Sequence, residues 1–249
     1  MQKTDKYADA KAEISTIYHE NKGRYGYRRI TIALRSRGFV LNHKTVRRLM
    51  RELGLVCRVR IKKYRSYKGE VGKIAPNLLN RDFRAEKPNR KWVTDVTEFS
   101  LFGKKLYLSP VLDLHNGYLV SYTISERPIL SMVTTMLDKA FETIPDGTGL
   151  ILHSDQGWQY QHKQYQGMLR EKGIQQSMSR KGNCLDNAVM ENFFGLLKSE
   201  LLYLQEFESI EHFKLELISY LDYYNNHRIK QKLKGLPPAL HRQQALSVA

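Results

Sequence analysis

The chain has 249 residues, of which 41% are hydrophobic, enough for one large domain or two unequal domains with a packed core. No apolar run approaches the roughly 20 residues that span a bilayer, and no apolar secretion signal opens the chain, so we expect a cytoplasmic protein with no membrane partner. The net charge of +16 favours a polyanionic partner such as nucleic acid. Cys57 and Cys184 are far apart and are expected to be ordinary thiols.

The basic charge is concentrated in the first third of the chain. Residues 1–87 hold 23 Lys and Arg against 8 Asp and Glu, whereas residues 88–249 hold 18 against 17. A solvated surface would spread the charge more evenly. This distribution favours a basic nucleic-acid-binding module followed by a nearly neutral catalytic or structural module.

Three helices are predicted in the basic module. Apolar residues recur at helical spacing from Tyr7 to Ile17, and a second periodic run, "YRRITIALRSRG", ends at Gly38. Asn42 is a suitable N-cap for a third helix, "HKTVRRLMRELG", which ends at Gly54.

The third helix has one apolar face and one cationic face. Helix, short turn and basic second helix resemble a helix-turn-helix, and the alternative is a solvated surface helix. Spacing alone scarcely separates the two, but the regional charge favours contacts with DNA. The residues of the cationic face are Lys44, Arg47, Arg48 and Arg51.

The pattern changes twice further along the chain. Residues 58–87 are charged and without sustained period, which predicts a linker that lies along DNA or is a flexible tether. From residue 90, "KWVTDVTEFSL", "KKLYLSPVLDL" and "GYLVSYTIS" predict antiparallel strands. Helices near 129–142, 162–172, 187–203 and 209–226 then alternate with the strands "LILHSD" and "IQQSMS". The expected architecture is α/β, a mixed sheet flanked by helices.

Three acidic residues stand out in the second module. Asp95 lies inside the first strand and Asp155 ends a later one, where a buried carboxylate is costly unless it is paired or binds a cation. Glu191 lies on a predicted helix in a polar line with Asn187 and Lys198. Each acid alone is weak evidence, because turn residues and wet helix faces give the same pattern.

The combination resembles the DDE transposases and retroviral-type integrases. Asp95, Asp155 and Glu191, with Lys198 seven positions beyond the glutamate, match the acids and the following lysine of that group. "KPNRKWVTDVTEF", "HSDQGWQY", "SRKGNCLDNAVMENFFGLLKSE" and "YYNNHRIKQKLKGLPPA" resemble the integrase-type, second-frame transposases of a large bacterial insertion-sequence family. The resemblance covers nearly the whole chain. "HNG" at 115–117 and Trp158 differ from the residues that are usual at these positions in the resembling family. The N-terminal His and Cys zinc pattern of retroviral integrases does not occur in this sequence.

The resemblance implies a fold and a domain order. It implies a ribonuclease-H-like mixed five-stranded sheet flanked by helices, preceded by a small all-α helix-turn-helix domain. We expect the helix-turn-helix-like DNA-binding domain at 1–57, the basic linker at 58–87 and the catalytic core with its C-terminal helices at 88–249.

It also implies a chemistry. Asp95, Asp155 and Glu191 would be both catalytic and metal-binding, holding two Mg²⁺ or Mn²⁺ ions that suit hard oxygen ligands. Lys198 would hold a DNA phosphate, and Asn187 would orient Glu191, contact DNA or simply lie on the helix surface. The implied reaction is water attack that frees a 3′-hydroxyl at an element end, followed by attack of that hydroxyl on another phosphodiester.

The expected partners are double-stranded DNA, both the terminal inverted repeats and the target, further copies of the chain on that DNA, and an upstream-frame product. In the resembling family that frame adds a second helix-turn-helix and a leucine zipper, so we expect this chain to hold a complete core and an incomplete reader of element ends. The alternatives are a non-catalytic DNA-binding regulator and a ribonuclease-H-like nuclease without strand transfer.

Overall fold

A computed structural model of the chain describes residues 5–59, 74–181 and 183–247. The first half of the predicted linker, 60–73, and the side chain of Cys184 lie outside the described part. Cys57 is a free thiol, as expected. Within these ranges no helix is both long and apolar enough to cross a membrane.

The three predicted N-terminal helices are confirmed as α1 (Ala8–Glu20), α2 (Tyr27–Ser36) and α3 (His43–Glu52). Asn42 caps α3 as predicted, because its Oδ1 accepts the Lys44 N–H at 2.9 Å. The left-handed backbone after α2 and α3 falls on Gly38 and Gly54, with φ of 86° and 68°. Fully buried aliphatic side chains form a small separate core between these helices: Ile14, Ile30, Leu34, Val46 and Leu49.

The strands form one mixed sheet, as predicted, with one strand more than expected. The predicted first strand is divided into β1 (Lys91–Thr94) and β2 (Thr97–Leu101), and both pair antiparallel with β3 (Lys104–Asp113). The division has a local cause, because the Asp95 carboxylate accepts the Val96 N–H at 2.7 Å and removes that donor from the ladder. Six strands therefore occupy the five positions of the predicted sheet.

The remaining strands extend the sheet on both sides. β4 (Tyr118–Ser125) pairs with the other edge of β3, and β5 (Ile151–Ser154) and β6 (Gln175–Met178) continue in parallel from β1. The order across the sheet is β4, β3, β1 with β2, β5, β6. This is the ribonuclease-H-like arrangement that the sequence predicts.

Helices cover both faces of the sheet. Side chains alternate between faces along each strand, so Trp92 packs on the side of α4 (Leu130–Phe141) and α6 (Lys163–Lys172), while Val93 packs on the side of α7 (Ala188–Leu197) and α8 (Ile210–Asn226). A single-turn helix, α5 (Trp158–Gln161), precedes α6. The last helix of the described residues is α9 (Pro238–Ser247), which the sequence pattern did not predict. The predicted helix near 187–203 is α7 followed by a π-helical turn at Lys198–Leu202.

The chain just before the sheet packs along its β6 edge. The Pro76 carbonyl accepts the Met178 N–H at 3.2 Å, and the Leu78 N–H donates to Ser177 Oγ at 2.9 Å. Leu79 is buried in the core beside α7 and α8. Residues 74–79 of the predicted linker are thus packed on the sheet, and the predicted boundaries at 57/58 and 87/88 stay predictions.

Candidate active site

The structure brings Asp95 and Asp155 together at one edge of the sheet. β1 and β5 are parallel neighbours, and Val93 of β1 is paired with His153 of β5. Asp95 lies two residues after Val93, and Asp155 lies two residues after His153. Neighbouring strands are about 4.8 Å apart, and equal steps along both bring the carboxylates side by side. Strand pairing therefore positions two acids that are 60 residues apart in the chain.

Amide groups hold the two carboxylates. Asp95 Oδ1 accepts the Val96 N–H at 2.7 Å, and Asp95 Oδ2 accepts the Asn187 side-chain N–H at 2.8 Å. Asp155 Oδ1 accepts the Gly157 N–H at 2.8 Å. A Cβ on Gly157 would lie 2.9 Å from that same oxygen, so a larger residue here would displace the Asp155 carboxylate.

Burial raises the pKa of both aspartates, and repulsion by Asp155 adds to the shift of Asp95. The pKa of Asp95 lies well above its usual range, first because the carboxyl is buried and then because Asp155 repels it. Burial also raises the pKa of Asp155, and the Gly157 N–H opposes this shift. Two buried carboxylates side by side are unfavourable as ions unless a positive charge joins them.

Glu191 near the start of α7 and Lys198 just after its end both interact electrostatically with Asp95. Glu191 lies in the first turn of α7, where burial raises its pKa, and its repulsion of Asp95 is weaker than that of Asp155. Lys198 follows the last residue of α7, with its Nζ 5.8 Å from the centre of the Phe99 ring. Burial lowers the pKa of Lys198, and attraction to Glu98 and Asp95 opposes this shift.

The third acid is not in ligand contact with the other two. In residues 5–59, 74–181 and 183–247, no three His, Cys, Asp or Glu side chains are close enough to hold one ion together. The arrangement is a close pair, Asp95 and Asp155, with Glu191 on the adjoining helix.

Asn187 bonds to Asp95, whereas the sequence suggested Glu191 as its partner. It ends a 3₁₀ turn (Cys184–Asn187) at the start of α7, and only 8% of the residue is exposed. Its Nδ2 donates to Asp95, and its buried Oδ1 has no hydrogen-bond partner in the described structure. The contact of Asn187 with DNA stays a prediction.

Sequence reasoning missed a network of ion pairs around Asp186 that supports this turn. Asp186 is buried and accepts two hydrogen bonds from the Arg180 guanidinium, at 2.8 and 2.9 Å, and one from Arg81 at 3.0 Å. Its backbone oxygen contacts His153 Nε2 at 3.0 Å, which ties the turn to β5. An acid directly before Asn187 in "CLDNAVME" was the available signal, but the sequence does not reveal its two arginine partners.

The four basic residues of α3 are exposed, but they are not equivalent. Arg48 forms an ion pair with Glu52, one turn further along α3. The Arg47 guanidinium lies 5.6 Å from the centre of the Tyr27 ring on α2. All four face solvent on the side opposite the buried Val46, Leu49 and Met50.

The donor set fits a hard divalent cation. The hydrogen bonds to Asp95 and Asp155 come from neutral amides, and burial raises the pKa of both carboxyls, so a bound cation would favour their ionised forms. The unpartnered Asn187 oxygen adds a further hard donor beside Asp95. Carboxylate and amide oxygens are the ligands that Mg²⁺ and Mn²⁺ prefer.

Fold and site together define an integrase-type catalytic core, a ribonuclease-H-like sheet with paired carboxylates at the ends of neighbouring strands. Two family models described as an integrase core domain match residues 85–184 and 191–246, and one described as an HTH-like domain matches residues 5–63. The chain belongs to the integrase-core transposases of insertion sequences.

Relatives across nearly the full length carry this assignment. The chain is 58% identical over 244 residues to an Escherichia coli (strain K12) protein named as a transposase, InsK of insertion sequence element IS150, covering 98% of this chain and 86% of the relative. It is 38% identical over 228 residues to the transposase for insertion sequence element IS904 of Lactococcus lactis, covering 91% of this chain and 90% of that protein.

A solved structure shares the fold. The chain in a simian T-cell lymphotropic virus intasome, solved in complex with the PP2A regulatory subunit B56 gamma, matches with a TM-score of 0.51 and 18% identity. The match covers 93% of this chain and 74% of that one.

Proposed function

We propose that this transposase cuts DNA at the ends of its insertion element and joins the freed ends to target DNA, with Asp95, Asp155 and Glu191 as the catalytic carboxylates. The observation that carries the proposal is the pairing of Asp95 with Asp155 at the ends of β1 and β5, where neutral amides bond to both and each has a raised pKa. A carboxylate pair kept in this state needs a cation to be fully ionised.

The cofactor in this proposal is a pair of Mg²⁺ or Mn²⁺ ions. Asp95 would serve both ions, Asp155 one and Glu191 the other. When bound, such ions activate an oxygen nucleophile and stabilise the leaving oxygen of a phosphodiester.

The protein's own groups prepare the site before metal and DNA arrive. Asn187 fixes the rotamer of Asp95 through its 2.8 Å hydrogen bond, and the Gly157 N–H does the same for Asp155 at 2.8 Å. Lys198, at the end of α7, would hold a phosphate of the bound strand. Its burial favours an anionic partner, because a desolvated ammonium gains more from a nearby phosphate than an exposed one.

The proposed DNA partners are the terminal inverted repeats and the target duplex. The exposed basic face of α3 supports phosphate contacts, in agreement with the HTH-like domain match. Two further partners are proposed from the family: additional copies of this chain on the DNA and the product of an upstream frame that completes the recognition of element ends.

The first test replaces each acid by its amide. Asp95→Asn, Asp155→Asn and Glu191→Gln should each abolish cleavage and joining of a labelled end duplex with Mg²⁺ or Mn²⁺, while DNA binding stays within about twofold of the parent, since the amide keeps the volume and loses the ligand charge. Glu211→Gln, on an exposed carboxylate of α8, is the matched control and should retain activity.

The outcomes separate the competing functions. Retained cleavage in any one variant removes that residue from the site. DNA binding without metal-dependent cleavage by the parent would indicate a regulator. Cleavage without joining of a pre-cut end would indicate a nuclease.

A second test concerns the incomplete reader. Competition binding at matched salt compares this chain with a fusion to the upstream frame, using end duplexes and random duplexes. The chain alone should show little preference for ends, and the fusion should gain it. A preference near the 10³-fold or so of specific binders in the chain alone would refute a missing reader.

A further inference from the structure

A buried glutamate lies between the N-terminal helices and the end of the catalytic helix. Glu200 lies in the π-helical turn that follows α7, two residues after Lys198, and is 1% exposed. Arg228 Nε donates to its Oε2 at 2.7 Å and Arg228 Nη2 to its Oε1 at 2.6 Å. The Tyr220 hydroxyl donates to Oε2 at 3.1 Å. The carboxylate is therefore a fully bonded anion in the protein interior.

Two arginines of the N-terminal helical unit reach the same residue. Arg29, on α2, approaches Oε1 with its Nη1 at 3.4 Å. Arg24, which precedes α2, donates its Nε to the backbone oxygen of Glu200 at 2.8 Å. We call Arg24, Arg29 and Arg228 around Glu200 the arginine cluster. Through it the helical unit bonds to both the side chain and the main chain of the turn after α7.

Arg24 is held as firmly as the residue that it contacts. It is 6% exposed, and its guanidinium lies 4.8 Å from the centre of the Tyr223 ring and 5.3 Å from that of Tyr220, both on α8. A buried guanidinium stacked on two rings has few alternative rotamers. Its donor therefore fixes the position of the Glu200 carbonyl.

That carbonyl belongs to a helix end that needs outside partners. The last four carbonyls of a helix have no intrahelical donor, and here the wider π-helical turn is closed by the Tyr203 N–H on the Lys198 oxygen at 2.9 Å. Arg24 binds a carbonyl in the middle of the turn that carries Lys198. Lys198 is the first residue of this turn, with its N–H bonded to the Phe194 carbonyl of α7 and its own carbonyl bonded to Tyr203. The turn and α7 therefore together set where the Lys198 side chain starts.

Stability alone does not require this arrangement. Buried ion pairs contribute little net stability compared with well-packed apolar side chains, and in some proteins they are retained for the geometry that they impose. The apolar rings and aliphatic residues around α8 could have filled the same space. The feature that the cluster adds is a fixed distance between the helical unit and the turn.

We propose that the arginine cluster is a positioning device, in which docking of the N-terminal helical unit through Arg24 sets the placement of Lys198 for its DNA phosphate. This rests on the proposed function. Arg24 and Glu200 are positioning residues, and Lys198 is the group that touches DNA. Movement of the helical unit would then change the catalytic rate as well as DNA affinity.

The test uses Arg24→Met, which retains length and apolar packing while Arg228 still neutralises Glu200, together with Arg24→Lys, which restores a donor. Single-turnover cleavage at saturating DNA gives a rate constant and an amplitude. Arg24→Met should lower the rate constant by on the order of 10- to 100-fold at unchanged amplitude, since a misplacement of about 1 Å costs that much. Arg24→Lys should recover most of the loss.

A double-variant cycle assigns the effect to Lys198. Arg24→Met should slow the parent but not a Lys198→Met background, because a residue that acts through Lys198 has nothing left to position. Additive losses would overturn the proposal. A loss confined to the amplitude indicates a folding defect of Arg24→Met, and Arg29→Met, at a partly exposed position, then replaces it in the cycle. The same non-additivity is expected of Arg29→Met, and additive losses there would overturn the proposal.

A readout that needs no catalysis separates this inference from the proposed function. Acylation of lysine amines, followed by mass spectrometry, measures the labelling rate of Lys198 against that of the exposed Lys214 on α8. Arg24→Met should change the ratio at least twofold. An unchanged ratio overturns the positioning role even if the parent cleaves DNA, whereas a parent that cleaves no DNA but shows the change overturns only the proposed function.

Discussion

The salt dependence of DNA binding tests which residues of α3 meet phosphate. Lys44, Arg47 and Arg51 are exposed, whereas Arg48 is paired with Glu52. Each phosphate contact contributes about 0.9 to the slope of log affinity against log salt. A triple change of the first three residues to Ala should therefore make the slope shallower by about 2.7.

That change of slope corresponds to a large difference in affinity. Between about 50 and about 200 mM salt, the parent should lose roughly 40-fold more affinity than the triple variant. Fluorescence anisotropy with a labelled random duplex, at five or more salt concentrations, resolves this difference.

Two variants of the ion pair supply the controls. Arg48→Ala should change the slope by less than one unit, because Glu52 already neutralises Arg48. Glu52→Gln should steepen the slope, since it removes the carboxylate that is paired with Arg48. Lys11, whose Nζ lies 3.0 Å from the same carboxylate, remains paired with Asp5 at 2.6 Å. An unchanged slope in the triple variant would show that α3 is a solvated surface and refute the reading of its cationic face.

Three further predictions concern the acids and their surroundings. Asp186→Asn should lower the free energy of unfolding by about 2–3 kcal/mol at pH 7. Because Arg180 depresses the pKa of Asp186 in the folded state, this contribution is complete above the pKa of the unfolded state and is lost as the pH falls below it. Chemical denaturation should therefore give a smaller difference between parent and variant at pH 3 than at pH 7, and equal differences would contradict the role of the Asp186 ion pairs. Asp155→Asn should stabilise the metal-free protein at neutral pH. The pKa values of Asp95 and Asp155 are raised in the folded state, so the folded protein loses stability as the pH rises through these values. Thermal melts should therefore show no such gain at pH 4, and Ca²⁺ should raise the melting temperature of the parent but not of the variant. Gly157→Ala should slow cleavage by on the order of 10- to 100-fold without weakening DNA binding, because its Cβ would lie 2.9 Å from Asp155 Oδ1. The neutral control is Gly167→Ala, where the added Cβ would have no neighbouring atom within 4 Å. Equal cleavage rates in the two variants would contradict this reasoning.

Periodicity predicted most of the helices because each of them buries one face. The apolar residues of α8 recur at helical spacing, and the caps of α3 were evident from Asn42 and Gly54. β3 is buried on both faces, so its composition rather than an alternating pattern indicated a strand. α9 escaped prediction because few of its side chains are buried, so its sequence carries little helical pattern.

The acids were predictable and their supports were not. Asp95 and Asp155 were conspicuous because a buried carboxylate in a strand is energetically unfavourable, and the family resemblance linked them to Glu191. The break of the first strand at Asp95 comes from one hydrogen bond of a side chain to the next N–H, which spacing does not reveal. The partners of Glu200 lie 176 and 28 residues away in sequence, so only the folded structure brings them together.

The segment that runs along β6 has a consequence for how this chain can be shortened. β6 ends the sheet, and the hydrogen bond from the Met178 N–H to the Pro76 carbonyl occupies part of that edge, while the Leu78 N–H bonds to the side chain of Ser177. A catalytic fragment that starts at residue 88 would expose a strand edge ready to pair with another molecule, and it would also lose the buried Leu79. Such a fragment should self-associate through sheet extension, whereas a fragment that begins at residue 74 retains the segment that covers the β6 edge.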